Sequence, residues 1–428
     1  MTQGTAWLEA FSSVIAPATA VLERICGPPA GAAGAAGAAG ARSGRGVEQR
    51  SGGDGLPREV WITLTEPRLV ADRGRNVVIR CRVDGEGAAL AGISSVVLKI
   101  VRPETSLGFT DWASLAFLAR LPGVQGLVPR LYGGDVRHRC FVVEDLGPSL
   151  SLEDVLRGRD RLALRRALRA LARQYARLHA ASLGQEATFG QACLERQISP
   201  QPARDEEARR WLHGLEHVQG WFRTTGGTLP DGFEPACTAV AATYADPGPW
   251  LAFTHGDPAP TNNHLRGDAV RLLDFEYGAF RHALYDLTAW SVLCPLPQAL
   301  VQEMKRAYGH ELARCVTSAD QRPERRPTPP PVSQAAAYRQ AWGTLVAYRA
   351  LAMVSWLPTD ILVADRSWVD TWGMRAALLT AMLRLTRATA GFPELAPIAR
   401  AARSLAGALQ RRWPGMGEPL PPWPVLQD

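Results

Sequence analysis

The sequence has few cysteines, and their arrangement excludes two kinds of small-domain scaffold. Seven cysteines occur in 428 residues, an odd number, and no two of them form a C-x-x-C pair. Zinc sites and disulfide frameworks both use paired or closely spaced cysteines, so neither is expected here. Scattered free cysteines are typical of a reducing compartment, which favours a cytoplasmic location.

The chain also lacks a convincing targeting segment or membrane span. Residues 1–26 carry Glu9 and no basic amino-terminal run, unlike a secretory signal peptide. The apolar run at 341–357 is interrupted by Arg349 and has helical periodicity, which favours a buried helix. We therefore expect no membrane partner.

An excess of positive charge is present without any recognisable nucleic-acid-binding module. The net charge is +7, and much of it comes from arginines in 157–177. These arginines alternate with apolar residues at helical spacing, as on a solvated helix face. We expect no nucleic-acid partner, and the pattern leaves the oligomeric state open.

Composition divides the chain into five segments. Residues 1–26 predict a helix in two halves broken at Pro17, and the Gly/Ala/Arg-rich stretch 27–56 predicts a flexible linker. Strand patterns fill 57–146, and amphipathic helix patterns fill 147–415. A proline-rich tail, 416–428, follows. A polar, proline-rich insert at 317–332 predicts an exposed loop between helices.

The most informative segment is 253–286, FTHGDPAPTNNHLRGDAVRLLDFEYGAFRHALYD. It places Asp257 and Asn262 in one loop, and Asp274 directly after a short apolar strand pattern. Phosphoryl transfer needs one carboxylate to orient the acceptor hydroxyl, and a second carboxylate with an amide oxygen to hold Mg²⁺. The alternative is a loop of turn formers that only cap helices.

The motifs HGDPAPTN and LLDFEYG together resemble the aminoglycoside phosphotransferase and choline kinase superfamily. The interval of five between Asp257 and Asn262 matches the kinase catalytic loop H-R-D-x-x-x-x-N. Gly256 stands where protein kinases carry arginine, which favours the small-molecule branch. The resemblance implies an α+β, protein-kinase-like bilobal fold, with a small β-rich nucleotide lobe and a large helical lobe. It also implies ATP or GTP as donor, Mg²⁺, and a small-molecule hydroxyl acceptor.

The same resemblance implies roles for individual residues of this segment. Asp257 would be the catalytic base, and Asn262 and Asp274 the metal ligands. His255 would orient the loop, and Asp286 would brace it through its main chain.

The nucleotide lobe is expected to begin with a hairpin. Residues 60–70 and 77–83 read as strands, and the turn between them contains Arg73, Gly74 and Arg75. In the family this turn covers the phosphates of the nucleotide. With a single glycine, an ordinary hairpin explains the pattern equally well.

Lys99 interrupts the apolar strand pattern 95–101, so it must reach solvent or meet an anion. The resemblance makes it a phosphate ligand, and makes Val143 to Leu146, with Glu144 and Leu146 named as cofactor-binding, the hinge whose main chain binds adenine. A plain strand end is the alternative for the hinge. Asp111, where family members carry glutamate, either pairs with Lys99 or caps its helix.

Acceptor residues are the least defined part of the site. The resemblance places the acceptor near Glu276 and Arg281, although Glu276 could equally cap local backbone. Nothing in the sequence selects among an aminoglycoside-like antibiotic, a sugar and an amino alcohol.

Two other functions are weighed against a small-molecule O-kinase. A protein kinase is disfavoured because no A-P-E motif follows D-F-E. A catalytically silent nucleotide-binding or scaffold protein is suggested by Asp111 and the glycine-poor turn. Intact Asp257, Asn262 and Asp274 argue against it.

Overall fold

The structure is a computed structural model that describes residues 6–26, 61–104, 107–199, 204–294, 296–319, 335–369, 372–414 and 423–426. The predicted linker 27–56, and all but the first three residues of the predicted loop 317–332, lie outside these ranges. The chain divides into two compact units, one of residues 1–108 with 130–146 and one of 109–129 with 147–428. A small sheet-rich unit and a large helical unit confirm the predicted α+β, bilobal class.

The first unit is built on a five-stranded antiparallel sheet with strand order β1-β2-β3-β5-β4. Its elements, with the helix that leads into the second unit, are α1 (Ala6–Cys26), β1 (Thr63–Asp72), β2 (Asn76–Asp84), α2 (Glu86–Ala91), β3 (Ser95–Val101), α3 (Leu107–Ala119), β4 (Leu131–Asp135) and β5 (Cys140–Glu144).

Side chains alternate between the two faces of this sheet, as strand geometry requires. Ile79, Leu98 and Val142 point to one face, where α1 contacts all five strands and completes a hydrophobic core. Lys99 and Phe141, at the intervening positions, therefore lie on the opposite face. The hydrophobic core of this unit includes α1, although the composition of the chain predicts 1–26 as a segment separate from 57–146.

The predicted break of the first helix at Pro17 is wrong. The helix runs without interruption from Ala6 to Cys26. An interior proline costs about 3 kcal/mol because it removes a hydrogen bond and clashes with the preceding turn. Burial of Val14, Val21 and Leu22 against the sheet contributes about 1.5–3 kcal/mol for each side chain and offsets that cost.

The second unit consists mainly of helices, with short strand pairs between them. Its helices after α3 are α4 (Leu152–Arg157), α5 (Arg161–Ser182), α6 (Glu186–Leu194), α7 (Arg204–Thr225), α8 (Phe233–Ala245), α9 (Tyr285–Val292), α10 (Gln298–Ala319), α11 (Ala335–Trp356), α12 (Met374–Thr389) and α13 (Ala396–Arg412). Its strands are β6 (Leu251–Thr254), β7 (Asn263–Arg266), β8 (Ala269–Leu272), β9 (Ala279–His282), β10 (Ser367–Val369) and β11 (Trp372–Gly373).

Antiparallel pairs β6 with β9 and β7 with β8 hold the segment that carries the catalytic motif. Behind them lies α5, whose amphipathic pattern buries Leu171, Tyr175 and Leu178 against its neighbours. Its first turn is capped by Asp160, which accepts the N–H groups of Leu162 and Ala163. A rigid helix thus supports the strands from which the catalytic loop emerges.

Only 423–426 of the predicted tail is described, and there Trp423 and Val425 are buried. Arg161 at the start of α5 donates a hydrogen bond from Nε to the carbonyl of Val425 over 3.2 Å. None of the helices in the described ranges is long and apolar enough to span a membrane.

Candidate active site

The catalytic loop joins β6 to β7, and Gly256 shapes its first turn. Its φ is +86°, and a Cβ atom there would lie 2.1 Å from the carbonyl oxygen of Tyr277. Only glycine tolerates both that backbone conformation and so close an approach. The loop therefore packs directly on the segment after Asp274, and the arginine of protein kinases cannot be accommodated at 256.

Asp286, in the first turn of α9, holds this loop through its main chain. Its carboxylate accepts the N–H of His255 at 2.7 Å and the N–H of Gly256 at 3.0 Å. His179 on α5 lies 3.4 Å from the same carboxylate and is itself held by the Tyr308 hydroxyl at 2.9 Å. All these side chains are buried.

Burial alone would raise the pKa of Asp286, but the hydrogen bond and charge of His179, with the Gly256 N–H, lower it to about 2. The carboxylate is therefore ionised across the neutral range. A charged acceptor shared by two loop N–H groups makes stronger bonds than a neutral one, so the backbone before Asp257 is firmly placed.

The His255 side chain links the loop to the end of β8. Its Nε2 lies 2.6 Å from the carbonyl oxygen of Leu273, and its Nδ1 accepts the N–H of Asp257 at 3.3 Å. The ring also packs on Phe275, with centroids 4.5 Å apart. These contacts are those of an orienting residue.

Asp257, Asn262 and Asp274 are brought together by three further features. The side-chain amide of Asn262 donates to Asp257, at 3.1 Å to the carbonyl oxygen and 3.3 Å to Oδ2. The Leu273 N–H donates to the Asn262 carbonyl at 2.8 Å. Asp274 follows directly, with φ of +59°, a left-handed conformation that is uncommon outside glycine and often found at functional sites.

The donor set of these residues fits Mg²⁺. Because the Nδ2 group of Asn262 faces Asp257, its Oδ1 is turned the other way, where the Thr261 hydroxyl lies 3.5 Å from it. Asp274 would add carboxylate oxygens. Oxygen ligands are the ones that Mg²⁺ prefers, usually one or two from the protein with the rest from phosphates and water. Within the described ranges, no cluster of three His, Cys, Asp or Glu residues could hold a metal unaided.

Helix α3 holds the residue after Asp274. Asp111 accepts the N–H of Phe275 at 2.9 Å, and the Ser114 hydroxyl donates to the Phe275 carbonyl at 3.2 Å. Asp111 and Ser114 are one helical turn apart, so they share a face of α3. Asp111 thus fixes the D-F-E segment, a role that the sequence did not predict.

The structure uses Arg281 as an internal brace, whereas the sequence assigned it to the acceptor. Its guanidinium is 5% exposed and makes two hydrogen bonds to Glu207 of α7, at 3.0 and 2.7 Å. It also donates to the Tyr277 carbonyl at 2.9 Å and to Thr254 at 3.3 Å. All three guanidinium nitrogens thus donate to protein partners, and a contact of Arg281 with an acceptor stays a prediction.

Glu207 is a residue that sequence reasoning missed. Burial would raise the pKa of Glu207, but the charge and hydrogen bonds of Arg281 lower it. Its separation of 74 residues from Arg281 leaves no local signal of the pairing. Glu276, the other predicted acceptor residue, is 5% exposed, and its contact with an acceptor stays a prediction.

The predicted phosphate-binding turn lies at the tip of the β1–β2 hairpin in the first unit. Arg73 and Asn76 close it with reciprocal main-chain bonds of 2.9 and 3.3 Å, leaving Gly74 and Arg75 at the tip. A hairpin is therefore confirmed. The Arg75 carbonyl accepts the N–H of Arg102 at 3.0 Å, which ties the tip to the end of β3.

Lys99 lies at the centre of β3, opposite Val78 and Phe141, and is 9% exposed. Lysine occurs at only two positions in a chain that otherwise uses arginine, Lys99 and Lys305. That scarcity is itself a compositional signal that sets Lys99 apart. A lysine retained inside an apolar strand marks Lys99 as a functional candidate.

The predicted hinge, Val143 to Leu146, includes the end of β5 and the end of the first unit. The Glu144 N–H donates to the Arg130 carbonyl at 2.8 Å, and its carboxylate accepts the Arg130 N–H at 3.0 Å. Asp145 forms an ion pair with Arg80 over 2.9 Å. A main-chain contact to a base therefore cannot use the Glu144 N–H.

The match to a family model defines the class of this protein. Residues 83–327, more than half of the chain, match the phosphotransferase enzyme family. The chain belongs to that family, which confirms the resemblance drawn from HGDPAPTN and LLDFEYG.

Several solved structures are similar to this chain. One is a choline/ethanolamine kinase family protein from Mesorhizobium loti, with 16% identity, a TM-score of 0.42, and coverage of 81% of this chain and 93% of that one. Another is a macrolide 2'-phosphotransferase from Brachybacterium faecium, with 14% identity, a TM-score of 0.41, and coverage of 74% and 91%. No curated protein sequence matches the chain.

Proposed function

We propose that the chain transfers the γ-phosphoryl group of ATP to a hydroxyl group of a small molecule. The observation that carries this proposal is the pair of links in the second unit that join Asn262 to Asp257 and Leu273, the residue before Asp274, to Asn262. Transfer of this kind depends on positioning and charge neutralisation more than on covalent chemistry.

Asp257 acts on the acceptor. As the acceptor oxygen forms its bond to the γ-phosphorus, the bond between that phosphorus and the β–γ bridging oxygen breaks, and ADP leaves. The hydroxyl proton passes to the Asp257 carboxylate. Asp257 is half-buried, so it is reachable. The bond that its N–H donates to His255 fixes its backbone, and the bond that it accepts from Asn262 fixes its Oδ2.

Mg²⁺ would be held by Asn262 and Asp274, and when bound it neutralises phosphate charge and orients the γ-phosphoryl group. Lys99 supplies a further positive charge for the phosphates. The tip residues Arg73, Gly74 and Arg75 add main-chain and guanidinium donors, and the hinge beyond Glu144 supplies main-chain contacts for adenine. Discrimination between ATP and GTP would rest on that hinge.

The test is ADP release measured over a panel of hydroxylated small molecules, with Mg²⁺ and with chelator. Acceptor-stimulated, Mg²⁺-dependent release is expected for wild type. Asp274→Ala should weaken Mg-ATP binding more than Asn262→Ala, because it removes a formal charge. Exposed Asp231 has no contact with the site, so Asp231→Asn serves as control. Nucleotide binding without release for any acceptor would contradict the proposal and identify a silent nucleotide-binding protein.

A further inference from the structure

A groove of about 310 Å³ opens on the second unit between α7, the first turn of α9 and α11. Four of its nine lining residues are aromatic: Trp211 and Tyr348, which are stacked with centroids 5.1 Å apart, Tyr285, and Trp356, which is 56% exposed. Flat rings of this kind favour a ligand that contains a ring.

Arg349, on α11, lines this groove and is a buried positive charge. Its side chain is only 3% exposed, and its guanidinium lies 3.5 Å from the ring centroid of Tyr285. Among the described residues it makes no ion pair, and its partner is the main-chain carbonyl of Tyr285, at 3.3 Å from both Nε and Nη2.

The carboxylate nearest in the groove does not compensate this charge. Glu207 lines the same groove, but both of its oxygens accept hydrogen bonds from Arg281. The exposed Arg210 adds another positive charge, partly balanced by Glu206 at 3.7 Å. The groove therefore carries a net positive charge, with Arg349 as its buried centre.

A buried charge without a counter-charge is costly, and proteins seldom retain one for stability alone. The geometry of Arg349 also leaves a defined edge for a ligand. Nε and one N–H of Nη2 face the Tyr285 carbonyl, so both protons of Nη1 and the second proton of Nη2 lack partners among the described residues. The edge formed by Nη1 and Nη2 is one of the two guanidinium edges that can bind a carboxylate bidentately.

The groove adjoins the catalytic loop through its own lining. Tyr285 immediately precedes Asp286, which holds the N–H groups of His255 and Gly256. Arg281, which neutralises Glu207, bonds the Tyr277 carbonyl against which Gly256 packs. Tyr285, at the edge of the groove, is thus the chain neighbour of the residue that holds the loop.

We propose that this groove binds the acceptor, and that Arg349 recognises a carboxylate on a ring-bearing, hydroxylated acceptor. This rests on the proposed phosphotransferase function and names the substrate class. It excludes polycationic acceptors, because Glu207 is already neutralised and Arg349 would repel a further positive charge.

Three probes that share a hydroxyphenyl ring test the charge preference: 4-hydroxyphenylacetate, 2-(4-hydroxyphenyl)ethanol and tyramine. Calorimetric titration of the full chain should show the carboxylate probe binding about 10- to 100-fold more tightly than the other two, the usual range for a charge-assisted bidentate contact. Arg349→Met should remove that preference, and Arg349→Lys should restore part of it because lysine keeps the charge without the planar fork. Equal binding of the three probes, tighter binding of tyramine, or no binding would overturn the assignment.

A stability comparison separates ligand binding from a structural role of Arg349. Without ligand, Arg349→Met should leave the melting temperature nearly unchanged or raise it, because an uncompensated buried charge is removed. Arg281→Met is the matched control and should lower it strongly, because Glu207 loses its partner. If Arg349→Met destabilises as much as Arg281→Met, Arg349 is structural and the proposal fails.

Failure of this inference can be told apart from failure of the proposed function. Mg-ATP-dependent phosphorylation of neutral or cationic acceptors only, unaffected by Arg349→Met, would sink the carboxylate assignment and keep the phosphotransferase. A carboxylate preference that Arg349→Met abolishes, in a protein that transfers phosphate to nothing, would support the anion site and refute the activity.

Discussion

Replacing Asp286 with asparagine is expected to loosen the catalytic loop and to destabilise the protein. The carboxylate accepts N–H groups from both His255 and Gly256 on separate oxygens. Asparagine keeps one oxygen and sets an NH₂ group against the other N–H donor. The buried site offers that displaced donor no water, so the loss is larger than that of one surface hydrogen bond.

The magnitude follows from those two contacts. An unsatisfied buried donor costs about 1–3 kcal/mol, and the remaining bond loses its charge assistance, about 1 kcal/mol. We expect the free energy of unfolding to fall by about 2–4 kcal/mol. Because Asp257 follows directly in the loop, a displacement on the order of 1 Å should lower kcat by about 10²-fold.

Urea denaturation and steady-state kinetics on the same preparations measure both effects. Exposed Asp231 is the control, and Asp231→Asn should change stability by less than about 0.5 kcal/mol. A fall of less than about 1 kcal/mol in the free energy of unfolding would be smaller than the loss of one such contact predicts. If Asp286→Asn shows so small a fall and keeps kcat within about threefold, Asp286 does not hold the loop in the way that its contacts indicate.

Three further outcomes follow from the same contacts. Gly256→Ala should abolish turnover, because the added Cβ would lie 2.1 Å from a carbonyl oxygen. Turnover near that of wild type would show that the loop can move to admit the Cβ without loss of activity. Leu22→Ala should lower the free energy of unfolding, measured by urea denaturation, by about 2–5 kcal/mol. Leu8 is 41% exposed, so Leu8→Ala should have little effect. Equal effects of the two substitutions would show that α1 does not pack on the sheet. Asp286 has a pKa of about 2 in the folded protein and an ordinary pKa of about 3.9 when unfolded. Its ionised form therefore stabilises the fold above the unfolded pKa, and about 2–3 kcal/mol of the free energy of unfolding should be lost between about pH 4 and pH 2. When stability is measured as a function of pH, Asp286→Asn should not show this acid-induced loss of stability. A profile unchanged from wild type would show that other groups cause the loss.

The sequence predicted those parts of the site that depend on local spacing. Asp257 and Asn262 lie five residues apart in one loop, and β7–β8 returns the chain to Asp274. Such short intervals leave few ways to arrange the three side chains. The β1–β2 hairpin and the strand that carries Lys99 were predictable for the same reason, since turn residues and alternation are local signals.

Contacts between distant segments were beyond sequence reasoning, because packing and register decide them. Asp111 and Phe275 are 164 residues apart, and no pattern in either segment indicates that one binds the other. The resemblance places Arg281 near the acceptor, but nothing in the sequence indicates the ion pair with Glu207 that the placement of α7 gives it. Pro17 was read as a helix break because its local cost is visible in the sequence, whereas the sheet that offsets it is not.

Transfer of the γ-phosphoryl group to an acceptor hydroxyl is the most direct test of the central claim, and ³¹P NMR detects the product as a phosphate ester. Wild type with Mg-ATP and a hydroxylated acceptor is expected to form that ester together with ADP. Asp257→Asn should bind Mg-ATP with unchanged affinity and form the ester about 10²-fold more slowly or worse. Ester formation at the wild-type rate by this variant, or its absence from wild type across all acceptor classes while Mg-ATP is bound, would contradict the account.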